Sequence, residues 1–256
     1  MPKFFVTSDI HSAYTPLKKA LDEKGFDRNN ENHWLVVCGD VFDRLDESQE
    51  VLHFLMSLDR KILVKGNHDL LLRDLCKRGF PYRNDYHNGT AKTVYDLGDA
   101  RTGNDFEKCC EITQNKLKEY NGLLVNYFET QNYIFVHSWI PTRKVEVPNP
   151  ADKWIPLTKD EYMEDWRNAN DVEWEDAMWG NPFELADQDL NKTGKTIVFG
   201  HWHCSAGHRM LGHCNDEFNY AIWEPCHFKN TIGIDRCTAY TGQVNVLVLE
   251  DNFLED

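Results

Sequence analysis

The chain has 256 residues, 41% of them hydrophobic and 12% aromatic, which is enough for a packed core and excludes a disordered chain. Its formal net charge of −14 repels a phosphodiester backbone, so a broad basic face for nucleic acid is excluded and only a local cationic site for a small phosphate is left open. No stretch approaches the roughly 20 apolar residues that cross a bilayer, and the first residues lack the apolar core of an export signal, so the eight cysteines are expected as reduced thiols in a cytoplasm.

At this length one domain covering 1–256 is expected. Phe4 to Thr7 is a short apolar strand ending in Ser8-Asp9-Ile10-His11. From about Thr15 to Lys24, Leu17, Ala20 and Leu21 recur at helical spacing, and Gly25 closes the segment. Trp34 to Cys38 is a second strand, ending in Gly39-Asp40-Val41-Phe42-Asp43-Arg44. Val51, Leu52, Leu55, Met56 and Leu58 mark a helix, and Lys61 to Val64 form a third strand that ends in Gly66-Asn67-His68-Asp69. Strand and helix alternating with short joints predict parallel α/β winding, with active groups at the strands' C-terminal ends.

From Leu70 to Asn121 the pattern is helical and polar and carries no recognisable chemistry. Leu123 to Thr130 and Tyr133 to Val136 read as a hairpin joined at Gln131-Asn132, whose second strand delivers His137-Ser138. Residues 141–195 change in composition: prolines break up the start, and Trp154, Trp166, Trp174 and Trp179 stand among many Asp and Glu. A helical insertion or cap is expected there, either overhanging a cleft or docked on the sheet by its aromatic stripe. Thr196 to Phe199 is another strand, ending in Gly200-His201-Trp202-His203; Ile232 to Asp235 and the strand Val244 to Leu249 follow.

Seven groups thus collect at strand ends: Asp9, His11, Asp40, Asn67, His137, His201 and His203. Singly, several have structural explanations, since Asp9 can cap a strand end, Gly39-Asp40 can be a turn and His137 a core histidine. Together, carboxylate, imidazole and one amide oxygen suit manganese first, then iron or zinc, and are too rich in nitrogen for calcium. Seven ligands exceed one ion's needs and divide between two if a carboxylate bridges, for which Asp40 is placed. Two ions so held can activate a shared water as hydroxide. Cys204, His208, His213, Cys214, Cys226 and His227 match no structural zinc spacing well.

The ordered set Asp9-Ile-His11, Gly39 to Arg44, Gly66 to Asp69, His137 and Gly200-His-Trp-His203 resembles the calcineurin-like metallophosphoesterases. Gly39 to Arg44, with Ile232 to Asp235 and Thr241 to Leu247, is most similar to the serine/threonine protein phosphatase branch, including its bacterial and phage members. The resemblance implies a four-layer α/β/β/α sandwich of two mixed sheets flanked by helices. It implies one ion on Asp9, His11, Asp40 and His203, and the other on Asp40, Asn67, His137 and His201. Arg44 would hold phosphate oxygens beside Asn67 and His68, and His68, oriented by Asp43, would protonate the leaving oxygen. The implied partner is a phosphorylated small molecule or phosphoprotein, and the implied reaction is phosphomonoester hydrolysis. Phosphodiester or dinucleoside polyphosphate hydrolysis on the same site is the alternative, ahead of a non-catalytic scaffold. The chain departs from the protein phosphatases in keeping His203, and in having no Arg between Trp179-Gly-Asn-Pro182 and His201; Arg143 and Arg167 are the candidates to replace it.

Overall fold

The computed structural model describes residues 1–98, 105–150 and 157–254. In the first sheet β1 (Lys3–Thr7), β2 (His33–Cys38), β3 (Lys61–Val64) and β4 (Leu124–Val125) lie side by side in parallel. The last strand, β12 (Leu247–Glu250), closes the other edge antiparallel to β1. The second sheet runs β10 (Cys226–Phe228), β11 (Thr231–Gly233), β9 (Thr196–Phe199), β6 (Tyr133–Phe135), β5 (Phe128–Glu129); its three middle strands are parallel.

Side chains alternate across a strand, so a strand buried on both faces sends every second residue into a different core. Phe4, Val6, Val36 and Cys38 meet Phe135, Val198, Ile232 and Ile234 in the seam between the sheets. Their neighbours Phe5, Leu35, Val37 and Leu63 face outward onto α1 (Tyr14–Glu23), α2 (Ser48–Met56), α3 (Asn67–Arg78), α5 (Thr90–Leu97) and α6 (Phe106–Lys116). Ile134, Ile197 and Phe199 face the other way, onto Trp166, Trp174 and Phe183. The expected α/β/β/α sandwich is therefore present.

Three expectations need correction. The apolar run from Leu123 to Thr130 is not one strand of a hairpin: Leu124 pairs with Leu63 in the first sheet, while Phe128 pairs with Phe135 in the second. Apolar residues on both sides of Asn126 hid this crossing at Asn126-Tyr127. Val244 and Val246 are buried in the helix-side core, and ladder pairing to β1 starts only at Leu247. In 141–195 a hairpin, β7 (Thr142–Val147) with β8 (Leu157–Tyr162), precedes the helical part, a single turn at Trp166–Asn168 followed by α8 (Asp171–Ala177) and α9 (Pro182–Asp187). Every residue of β7 is at least partly exposed, so no apolar alternation announced it.

Trp166 and Trp174 pack at 4.9 and 5.3 Å from the Tyr127 ring, so these two dock the segment on the sheet. Arg167 adds a two-pronged pair to Glu129 on β5 (2.8 and 2.6 Å), which Lys195 also reaches at 2.8 Å. Trp154 lies outside the described residues.

Candidate metal centre

The parallel strands deliver their ends to one place: Asp9 follows β1, Asp40 follows β2, Asn67 opens α3 after β3, His137 follows β6 and His201 follows β9. The connecting backbone is held in the left-handed region at Asp9 (φ 48°), His11 (49°), Asp40 (50°), Asp43 (78°), Arg44 (63°) and His201 (63°). Non-glycine residues in such conformations cost about 1–3 kcal/mol each and persist where surrounding structure enforces them. Here the loops bind each other: His11 N–H donates to the Asp40 carbonyl (3.1 Å), Ser12 N–H to Val41 (2.8 Å), and Gly200 N–H to His137 (2.8 Å). Glycine is required beside the carboxylates, because a Cβ on Gly66 would collide with Asp40 Oδ1 and one on Gly200 with Asp9 Oδ2.

Asp40 is the hub. It accepts from the His68 N–H in the first turn of α3 (3.0 Å), where a helix N-terminus favours an anion. Its Oδ1 lies 3.4 Å from His137 Nε2, and its Oδ2 3.8 Å from His68 Nε2. Two ligand clusters share it: His11, Asp40 and His68, and Asp40, His137 and His201. Burial alone would raise the Asp40 pKa, but the imidazoles of His137, His68, His11 and His201 pull it below the usual carboxylate range.

The donor set fits divalent cations. His137 Nδ1 lies 2.9 Å from the Cys38 carbonyl and His11 Nδ1 3.0 Å from the Phe42 carbonyl, so both donate there and each leaves Nε2 as a bare lone pair. His137 Nε2 faces Asn67 Oδ1 at 2.7 Å and His201 Nδ1 at 3.2 Å, and His201 Nδ1 lies 3.1 Å from the same Asn67 oxygen. Lone pairs meeting lone pairs in a buried site call for a positive ion. Burial keeps the rings neutral, lowering His11 to about 4 and His201 to about 3, and lowering His137 as well. Burial, then the charges of Asp235 and Asp40, push Asp9 well above the usual range, and burial raises Asp235 to about 7. Carboxylates this close ionise together beside a cation.

Beside the ligands, His68 Nδ1 donates to Asp43 Oδ2 at 2.7 Å. Arg44 is exposed, and its charge is felt at His11, His68 and Asp235. A cavity of about 530 Å³ brings Asp9, His11, Asp40, Arg44, Asn67, His68, His201 and His203 onto one surface. His203 sits at its edge, its Nδ1 2.8 Å from Ser205 Oγ at the start of α10 (Cys204–Met210). His137 lies behind Asn67, 2% exposed. The ten residues singled out in the sequence lie in or next to this cavity, but Asp9 and His203 belong to neither ligand cluster, and His68 belongs to the first.

Two candidates fall away. Arg167 is occupied by Glu129, and Arg143 lines a separate cavity with Thr142, Glu173 and Asp176. Neither replaces the missing second arginine. Sequence reading also passed over Thr90 and Thr93 on α5, whose hydroxyls donate to Asp43 at 2.7 and 2.8 Å. Their i, i+3 spacing puts them on one helix face, but nothing local ties that face to Asp43. Trp179, expected only as one of the tryptophans of 141–195 and in Trp179-Gly-Asn-Pro182, stands on the cavity wall, its ring 6.4 Å from His201.

A family model described as calcineurin-like phosphoesterase matches residues 2–205. A symmetrical bis(5'-nucleosyl)-tetraphosphatase from Proteus mirabilis (strain HI4320) is 41% identical over 69 residues, 27% of this chain and 24% of that protein. The protein of the same name from Pseudomonas fluorescens (strain SBW25) is 44% identical over 69 residues, with the same coverage of 27% and 24%. The chain thus spans about a quarter of the length of the curated relatives it matches. A crystal structure of a cold-active protein-tyrosine phosphatase from a psychrophilic Shewanella superposes with a TM-score of 0.57 at 16% identity, covering 98% of this chain and 76% of that one. At that identity the likeness is one of fold alone.

Proposed function

Since the chain belongs to the calcineurin-like phosphoesterase family, we propose that it hydrolyses phosphoesters with two divalent ions, manganese first among them. The observation that carries this is the sharing of Asp40 by two ligand clusters, with His68 on its Asp43 tether and Arg44 facing the same cavity. Asp9, His11, Asp40 and His203 would hold one ion, and Asp40, Asn67, His137 and His201 the other. When bound, such ions lower the pKa of water and draw charge from phosphoryl oxygens.

The chain's own residues do the rest. Arg44 receives phosphate oxygens in its planar fork. His68 joins His11 and Asp40 in space, yet its Nδ1 is committed to Asp43, which leaves Nε2 to carry a proton toward the leaving oxygen. Burial alone would lower the His68 pKa; with no cation bound, the Asp40 charge and the Asp43 hydrogen bond reverse this and raise it. The segment 141–195 is read as an insertion within one domain, held by Trp166, Trp174 and the Arg167–Glu129 pair.

A phosphomonoester, small molecule or phosphoprotein, is the first reading of the substrate. Dinucleoside polyphosphate cleavage is the second, favoured by the names of the relatives. Steady-state assays with manganese decide between them, using p-nitrophenyl phosphate, bis-p-nitrophenyl phosphate, a phosphoserine peptide and diadenosine tetraphosphate. The substrate with the highest kcat/KM assigns the class, and Arg44→Ala should raise KM and lower kcat on it with metal content unchanged. Hydrolysis of none of the four would contradict the proposal.

A further inference from the structure

Resting on the phosphoesterase reading, we propose that Trp179 and Tyr240 are the base-binding walls of the cavity and set specificity for a nucleotide. The segment's three described tryptophans differ sharply in exposure. Trp166 and Trp174 are 0% and 3% exposed, whereas Trp179 is 51% exposed although it lines the cavity. Its position is fixed from behind. The Trp179 N–H donates to the Asp176 carbonyl (3.1 Å), and the next carbonyl, of Gly180, accepts from Ser138 Oγ (2.7 Å). A large ring is thus presented to solvent by a hydrogen-bonded backbone, 6.4 Å from the ring of His201.

Tyr240, on the short helix α11 (Thr238–Thr241), is 62% exposed and lines the same cavity. It is backed by Phe218 at 5.5 Å and Trp223 at 5.8 Å, and these two rings in turn stand 5.3 and 5.7 Å from His203. One aromatic wall therefore rises beside His201 and the other beside His203. Exposed aromatics held in place beside a site are stacking platforms, because their rings bind a planar partner at little entropic cost.

The charge pattern says what the rest of the substrate is. Arg44 is the sole Lys or Arg among the described residues lining the cavity, so there is one cationic phosphate position beyond the ligand cluster. Affinity away from that phosphate must come from neutral contacts. A cavity of about 530 Å³ is of the size that takes a whole drug-sized ligand, more than a phosphate on a single phenyl ring fills. Asn88 supplies an amide, donor and acceptor together, for the edge of a base.

AMP and ribose 5-phosphate differ only in the base, and each titrant is added as its non-hydrolysable phosphonate in calorimetric titration of the manganese-reconstituted protein, so that no turnover intervenes. Wild type should bind AMP more tightly than ribose 5-phosphate. Trp179→Ala and Tyr240→Ala should each weaken AMP by roughly 5- to 150-fold, the range for a lost base–aromatic stack, and weaken ribose 5-phosphate little. Trp179→Phe should keep most of the AMP affinity. Equal affinity of wild type for the two ligands, or equal losses on both in the variants, overturns the proposal. O-phosphotyrosine is the third titrant: losses confined to it would make the ring an aryl phosphate's and likewise overturn the nucleotide assignment. Failure of the phosphoesterase reading shows separately, as absent hydrolysis with AMP binding intact.

Discussion

His68 Nδ1 donates to Asp43 Oδ2 at 2.7 Å, and Asp43 is wholly buried. The same carboxylate accepts from the hydroxyls of Thr90 and Thr93, so three donors from α3 and α5 fix its plane. A buried acceptor satisfied in this way holds an imidazole in one tautomer and one orientation. The ring's other nitrogen is thereby left on the cavity side, 3.8 Å from Asp40 Oδ2.

If that nitrogen delivers a proton, the need for it scales with the leaving group. His68→Asn should cost about 10²–10⁴-fold in kcat/KM on alkyl phosphates, whose alkoxide leaves badly, and much less on p-nitrophenyl phosphate. The measurement is the wild-type to mutant ratio across aryl and alkyl phosphates of graded basicity. A flat ratio, with metal content reduced, would make His68 a metal-site support instead.

Thr93 both donates to Asp43 Oδ1 and accepts from the Asp43 N–H at 3.0 Å. Thr93→Val leaves both groups unpaired in the interior, which should cost about 1–3 kcal/mol in urea unfolding. It should also reproduce part of the leaving-group selectivity of His68→Asn. A stability loss with an unchanged selectivity series would separate the hydroxyl from the tether.

Asp40 belongs to both ligand clusters, whereas His203 belongs to neither. Asp40→Asn should therefore remove more metal and more activity than His203→Ala, because a bridging carboxylate offsets repulsion between two cations. Metal titration of the two variants in parallel checks the ranking, and the reverse order would displace Asp40 from the bridge.

Glu129 ties β5 to Arg167 and Lys195. Burial alone would raise its pKa, but the hydrogen bonds from Arg167 and Lys195 hold the carboxyl below its usual range. A depressed folded pKa contributes stability that is present above the unfolded value of about 4.3 and is lost as pH falls through the folded value. Glu129→Gln should lower unfolding stability by about 1.5–3 kcal/mol at neutral pH. The gap to wild type should be constant from pH 6 to about pH 5 and should close below about pH 4. A gap independent of pH would assign Glu129 a packing role.

The site was legible because its chemistry sits in short motifs at strand ends, where parallel winding brings Asp9, Asp40, Asn67, His137 and His201 together whatever lies between them. The strands around them were legible for the same reason, each being a short apolar run closed by glycine or a polar turn. Support from a distance was not legible. Thr90 and Thr93 act on Asp43 through a helix packed against its loop, and a threonine pair on a polar helix carries no mark of that use. The crossing at Asn126-Tyr127 was hidden because both sheets ask for the same apolar residues. Trp179 could not be told from Trp166 and Trp174 by residue type, since only packing decides which ring faces the core and which the cavity.

By the proposed function, one Asp40 serves two cations in a single cavity. The most direct test is elemental analysis of the manganese-reconstituted, desalted protein, counting ions per chain. Wild type should hold two ions per chain, falling well below two in Asp40→Asn. A wild-type protein that saturates at one ion, or an Asp40→Asn variant that retains two, would contradict it.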